Sequence, residues 1–324
     1  MPHAIVVREP GGPEQLTWEA VEVGPPATGQ VRLKQKTIGL NYIDVYHRSG
    51  LYPQSLPFIP GVEGAGIIEQ VGPGVESFAE GDRVAYAGPI GGYAEARLIA
   101  ADRLVRLPDD ISFEQAAGML LQGLTVDMLL RGVRQVRHGE TILVHAAAGG
   151  VGLILCQWAA ALGATVIGTV SNEAKAELAK AHGCHHPIIY TRQDFVAEVN
   201  RLTGGAKLPV VYDSVGRDTF LRSLDCLQRR GLMVSFGQSS GPVEPFAPGL
   251  LAQKGSLFLT RPTMFDYVHA RADLDQSAGN LFDAVRSGKV KIDIRQQFRL
   301  ADAADAHRAL EGRKTSGSTI LTVD

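Results

Sequence analysis

Two hydrophobic rhythms share the chain. Over the first hundred residues, short β-branched and apolar runs at 4–8, 31–38, 65–71, 83–86 and 94–99 alternate with Gly/Pro turns. Runs of that length between turn residues predict an all-β, barrel-like region. Spacing then turns helical over 112–130, where Leu120, Leu121, Leu124 and Leu129 share one face and Gly123-Leu124-Thr125 interrupts. From residue 141 strand and helix patterns alternate. Strands are predicted at 142–144, 165–170, 187–190, 210–212, 232–236 and 256–260, and helices at 153–162, 173–181, 194–203 and 219–227. That alternation is the pattern of a parallel, doubly wound sheet. The tail breaks it, with a helix at 274–285, a strand at 290–294, a helix at 301–310 and a strand at 318–323. The predicted organisation is α/β: a β-barrel domain from 1–125 and 265–324, with a doubly wound domain inserted over 126–264.

The segment 141–163, TILVHAAAGGVGLILCQWAAALG, runs strand, small-residue turn, helix. This is the setting a dinucleotide fingerprint requires. Ala146, Gly149 and Gly152 match A-x-x-G-x-x-G, whereas Ala147 stands where G-x-G-x-x-G wants its first glycine. Gly149 and Gly150 let the backbone approach a pyrophosphate, Gly152 lets the helix pack on the strand, and the first-turn N–H groups face the anion. Gly61-Val62-Glu63-Gly64-Ala65-Gly66 runs into a strand instead, so it reads as a strand bend. On composition alone, 39–46 and 60–64 read as a helix start and a turn.

About twenty residues past the glycines, an NAD site places an acid on the ribose 2′-hydroxyl. Here the strand ends in neutral Gly168-Thr169-Val170-Ser171-Asn172, with Lys175 close behind, which favours NADP; Glu173 is the one feature against it. A length of 324 residues implies about two domains. The net charge of −2 leaves no basic surplus for nucleic acid or anionic lipid. No apolar run reaches membrane-span length, and the first residues lack signal-peptide shape. Cys156, Cys184 and Cys226 have neither metal nor redox spacing, which suits a reducing cytoplasmic setting. The cluster His182-Gly183-Cys184-His185-His186 fits no standard zinc pattern and reads as a surface turn.

The chain resembles the medium-chain dehydrogenase/reductase superfamily and, within it, the zeta-crystallin-like NADPH:quinone oxidoreductases. The resemblance rests on 139–157, Asn41-Tyr42-Ile43-Asp44, Arg48–Pro53, Gly123-Leu124-Thr125, Tyr212–Arg217, Ser223–Gly237 and Thr260-Arg261-Pro262. It implies a GroES-like barrel, an inserted Rossmann domain and a homodimer joined through the Rossmann sheets. Zinc alcohol dehydrogenases of this superfamily have Cys where Asn41 stands and His where Val62 stands. Val cannot ligate zinc and Asn does so weakly, so no metal is expected. The implied reaction is zinc-independent hydride transfer from NADPH to a quinone in a cleft, by proximity. By resemblance, Asn41, Tyr46 and Tyr52 line the nicotinamide side as catalytic residues. Lys175, Tyr190 and Arg313 surround the 2′-phosphate. Thr125, Ala148, Gly149, Gly150, Val151, Ser171, Ser214, Val215, Phe236 and Gly237 complete the cofactor set. Two alternatives share the pattern: an NADPH-dependent alkenal or enone reductase, and an RNA-binding or structural zeta-crystallin-like protein.

Overall fold

The computed structural model describes residues 1–323, in two compact units. The first comprises Met1–Gly123, Ala270–Gly279 and the residues from Ile292 onward; the second comprises Leu124–His269 and Asn280–Lys291. The return to the first unit thus falls at 270 rather than 265, and 280–291 sides with the second unit.

The first unit begins with β1 (His3–Val6) and β2 (Thr17–Ala20), an antiparallel pair. There follow β3 (Gln30–Leu40), α1 (Tyr42–Arg48), β4 (Glu63–Val71), β5 (Arg83–Ala87), β6 (Ala96–Ala100), β7 (Leu104–Arg106) and α2 (Phe113–Ala117). The helical stretch expected over 112–130 is interrupted, but at a different point. Ser112 caps α2 through the Gln115 N–H, and α2 stops at Gly118. A new helix, α3 (Leu120–Asp127), then contains Gly123 and runs into a wide π-type turn, 128–133. The break therefore lies at Gly118-Met119, not at Gly123-Leu124-Thr125. It leaves the first N–H groups of α3 outside any helical ladder.

In the second unit β8 (Thr141–Val144), α4 (Gly150–Ala161), β9 (Thr165–Val170), α5 (Glu173–Ala181), β10 (His186–Ile189), α6 (Phe195–Leu202) and β11 (Leu208–Asp213) alternate. α7 (Phe220–Ser223), β12 (Leu227–Ser235), α8 (Gly249–Gln253), β13 (Phe258–Thr260) and α9 (Met264–Tyr267) complete the alternation, and α10 (Arg271–Arg286) is divided between the units. All six strands are parallel, in the order β10-β9-β8-β11-β12-β13. In chain order this is 3-2-1-4-5-6, the doubly wound arrangement whose ligand site lies beyond the strand carboxyl ends. Leu143, Ile167, Val211 and Met233 form the sheet's buried centre, under Phe195 and Phe220.

The chain closes with β14 (Ile294–Arg299), α11 (Ala303–Glu311) and β15 (Ser318–Thr322). The first unit's large sheet runs β14-β15-β3-β4-β5-β7, with β6 also paired to β3. The strand predicted at 290–294 belongs at 294–299. Val290 is buried and its N–H closes the end of α10 on the Ala284 carbonyl, while the Gln-rich β14 alternates half-buried and exposed positions as a sheet edge. The glycine run after Pro60 does lead into a strand, β4. Gly61 has φ +88°, and an added Cβ would strike the Tyr93 ring.

Candidate active site

In the second unit, β8 ends at Val144 and α4 starts at Gly150, after the turn His145–Gly149. Gly149, the N-cap, offers no side chain, so the opening N–H groups of α4 are left for an external acceptor. A Cβ on Gly152 would overlap the Ala146 carbonyl oxygen and sit 2.8 Å from the Ala147 Cα. The helix can thus lie on its strand only with glycine there. Ala146 itself takes φ +54°, a left-handed backbone that an alanine adopts under constraint. Below the turn His145 is fully buried and ties three elements together. Ser223 Oγ donates to the Thr219 carbonyl, so it accepts from His145 Nε2 (2.8 Å); His145 Nδ1 then accepts from Thr169 Oγ1 (2.9 Å). Burial lowers the imidazole pKa and keeps the ring neutral.

The strand ends gather most of the expected cofactor residues. Ser171 follows β9 with its carbonyl accepting from Thr191 Oγ1, and Lys175 starts α5 under the Asn172 cap. Tyr190, beside them, is 41% exposed, and its N–H bonds the Val170 carbonyl. Glu173, the residue that argued against NADP, is paired with Arg192 at 3.0 Å, so its charge is compensated. Buried Asp213 at the end of β11 accepts from the N–H groups of Val215 (2.7 Å) and Gly216 (3.1 Å) and from Thr219 Oγ1. It fixes the Ser214-Val215 loop. Phe236 and Gly237 follow β12, and a Cβ on Gly237 would come within 2.7 Å of the Ser214 carbonyl, so the two loops touch backbone to backbone. Ala148 is buried, Gly150 and Val151 are half-buried at the start of α4, and Thr125 is half-buried on α3. His185 Nδ1 accepts the Val166 N–H and His182 Nδ1 lies 2.8 Å from the Leu178 carbonyl, so two of the clustered histidines serve local backbone.

The first unit holds Asn41, Tyr46, Tyr52 and Arg313. Asn41 caps α1 in a reciprocal box with Asp44, whose Oδ2 accepts the Asn41 N–H at 3.0 Å. Tyr46 is 7% exposed and packs edge-on against half-buried Tyr52, with ring centroids 5.1 Å apart. Arg313 is exposed just past α11, with φ +57°.

Around Asn41 lies a polar network that sequence reasoning missed. Asn41 Nδ2 is 2.5 Å from Glu63 Oε2, and the Leu121 N–H, freed by the helix break, donates to Glu63 Oε1 at 2.8 Å. Gln122 Nε2 reaches Asn41 Oδ1 at 3.4 Å, and Ser318 on β15 reaches Gln122 Oε1 at 2.9 Å. Burial pushes the Glu63 carboxyl up to about 8 against its hydrogen bonds, and pushes Asp44 up to about 7. A second chain runs outward from Asp44. Tyr93 donates its hydroxyl to Asp44 (2.9 Å) and accepts from His307 Nε2 (3.1 Å); His307 Nδ1 accepts from Arg48 Nη1 (3.1 Å). Arg48, only 2% exposed, grips Glu311 with two bonds, 2.7 and 3.0 Å. Burial and the Arg48 charge hold His307 near 3, uncharged. The one local signal for all this was Asn-x-x-Asp at 41–44, a capping-box spacing.

Among the described residues, no three His, Cys, Asp or Glu side chains are grouped to hold a metal ion. Residues 27–109 match the family profile described as alcohol dehydrogenase GroES-like domain, and 150–273 match that described as zinc-binding dehydrogenase. The chain is 52% identical to a quinone oxidoreductase of Pseudomonas aeruginosa, covering 96% of each, and 44% identical to a 2-haloacrylate reductase of a Burkholderia species, covering 98% of each. The crystal structure of an Escherichia coli quinone oxidoreductase complexed with NADPH superposes with a TM-score of 0.98 at 49% identity, over 99% of this chain and all of that one.

Proposed function

The chain belongs to the zinc-free quinone oxidoreductases of the medium-chain dehydrogenase/reductase family, and from that premise we propose that it reduces quinones with NADPH. The observation that carries the metal-free mechanism is the donor set around Asn41. Val62 has no ligating atom, and Asn41 and Glu63 bond each other and neighbouring N–H groups. These residues do not fit the zinc that one matched profile's description implies, and no step is assigned to it.

The second unit fits a dinucleotide. The bare start of α4, opened by Gly149 and closely packed through Gly152, suits the pyrophosphate. Lys175, Ser171 and Tyr190 hold the 2′-phosphate, while Glu173 is paired at the surface with Arg192. Ser214, Val215, Phe236 and Gly237, held by Asp213, follow the cofactor along the strand ends, and Thr125 completes its contacts. When bound, NADPH supplies the hydride. Asn41 orients the nicotinamide. Tyr52, the more open of the two tyrosines, donates a hydrogen bond to a quinone oxygen, with Tyr46 packed behind it. A quinone is a ready hydride acceptor, so orientation and exclusion of water are the residues' main work. Three free, buried cysteines suit a reducing cytoplasm. The unpaired edge strand β13, with Phe258 and Leu259 exposed, supports a homodimer built edge to edge.

The test is steady-state reduction of a benzoquinone with NADPH and with NADH, for the wild type and Lys175→Ala. Removing the cation should raise the NADPH KM by about tenfold and leave the NADH KM within twofold. Equal effects on both would overturn the 2′-phosphate assignment, and no quinone turnover would overturn the activity. The Burkholderia relative favours a second reading, reduction of an activated carbon–carbon double bond. A 2-haloacrylate and an alkenal in the same assay decide it, since strong turnover of either beside quinone inactivity would select that reading.

A further inference from the structure

The buried chain Glu63–Asn41–Gln122–Ser318 can be wired in two directions. With Glu63 ionised, Asn41 Nδ2 donates to Glu63, Gln122 Nε2 donates to Asn41 Oδ1, and the Ser318 hydroxyl donates to Gln122 Oε1. With Glu63 protonated, its O–H donates to the Asn41 oxygen, the Asn41 NH2 donates to the Gln122 oxygen, and the Gln122 NH2 donates to Ser318 Oγ. The Ser318 hydrogen then goes to the Gly118 carbonyl. In both circuits each group passes one hydrogen to the next, and the two differ by 180° turns of two amides of nearly unchanged shape. Two distances mark this duality. Ser318 Oγ lies within bonding range of both Gly118 O (2.6 Å) and Gln122 Oε1 (2.9 Å), although it has one hydrogen to give. The 2.5 Å between Asn41 and Glu63 suits an O–H···O bond as well as a short N–H···O bond.

We propose that Glu63 is a positioning residue: its protonation state sets which end of the Asn41 amide is turned toward the nicotinamide. The inference rests on the assignment of Asn41 to the nicotinamide. The carboxyl has room because Gly39 on β3 carries no side chain; a Cβ there would come within 2.6 Å of Glu63 Cδ. The other groups facing it are few. Asp44 at the start of α1, Tyr86 on β5 and Tyr93 after it bear on its charge, and the first residues of α3 supply backbone N–H groups. Burial raises its pKa to about 8, which puts its titration in the working range. Asp44, near 7, is the competing titration.

Glu63→Gln separates them. A glutamine accepting the Leu121 N–H turns its NH2 toward Asn41 and locks the acid-side wiring at every pH. The chain has four asparagines, so selective 15N-asparagine labelling resolves the Asn41 side-chain NH2. The expected result is one transition of that signal between about pH 6 and 9 in the wild type, with kcat/KM changing about fivefold or more over the same transition. In Glu63→Gln both should be flat, with kcat/KM fixed at the wild type's low-pH value. A signal that does not titrate in the wild type overturns the proposal, and that measurement needs no variant to fold. A transition that survives Glu63→Gln belongs to Asp44 and overturns it equally. Asn41→Ala tests the underlying assignment: unchanged kcat and KM there would remove Asn41 from the nicotinamide whatever the spectra show.

Discussion

In the second unit the groups proposed to meet an anion are backbone N–H donors at a glycine turn, and the nearby buried side chains, His145 and Asp213, serve to hold loops still. In the first unit the order is reversed. Backbone donors such as the Leu121 N–H are consumed inside, and side chains from α1, β4, α3 and β15 bond one another until Asn41 is fixed. The proposed phosphate site, built of backbone, depends on where glycine is allowed. The proposed nicotinamide site, built of side chains, depends on which protons are present. The two should therefore fail in different ways, one through steric substitution and the other through charge.

The largest effect should come from Gly152→Val, which forces a side chain into the Ala146–Ala147 backbone. A loss of about 3 kcal/mol in stability is expected for overpacking against a backbone that cannot yield. NADPH affinity, read by quenching of intrinsic fluorescence, should fall on the order of 100-fold. Affinity within threefold of the wild type would mean that the helix start is not the phosphate site.

Next in size is Glu311→Gln, which leaves the Arg48 guanidinium buried without its counter-ion. Breaking a buried pair costs about 3–5 kcal/mol; because Glu311 is one-third exposed, a loss nearer about 2 kcal/mol is expected. Quinone turnover should drop more than NADPH affinity, since the chain from Arg48 ends at the residues around Asn41. Equal losses in both would erase the distinction between the units. Denaturant melts and kcat measured side by side check it.

The smallest effect is in pH. Asp44 and Glu63 have folded pKa values raised to about 7 and about 8, so their contribution to stability is complete below their ordinary carboxylate values and is lost as pH rises through 7–8. His307 acts oppositely. With its pKa lowered to about 3, its contribution is present above 6.5 and is lost as pH falls toward 3. The melting midpoint should therefore peak in mildly acidic buffer and fall by a few degrees toward pH 9, and Glu63→Gln should fall less. Parallel decline of wild type and variant would show that Glu63 carries no raised pKa.

The second unit was largely legible in the sequence because its devices are local. A strand, a glycine turn and a helix fall within 23 consecutive residues, and the strand-helix rhythm after them gives the sheet its parallel order. Pairing of Glu173 with Arg192 joins α5 to the turn after β10, which no spacing rule announces. In the first unit the partners of Asn41 and Arg48 lie 22, 81 and 259 residues away, so only the capping box at 41–44 left a trace. Helix breaks were misplaced for a related reason. Gly123 reads as the weak point of 112–130, but Gly118 is where the chain turns to present the Leu121 N–H to a carboxylate on a distant strand. The Gln-rich β14 escaped notice because one side of an edge strand faces water and shows no apolar alternation.

The pairing of β3 with β15 has a consequence for synthesis. Leu40 lies opposite Thr319, so the flank of β3 stays bare while about 280 further residues emerge from the ribosome. At ordinary elongation rates that is about 15–55 s during which an apolar strand edge waits for its neighbour. The six-stranded sheet waits less: its most distant neighbours, β8 and β11, pair Leu143 with Val211, about 70 residues on. The half of the molecule that finishes last is also the half most exposed to mispairing in a crowded cell.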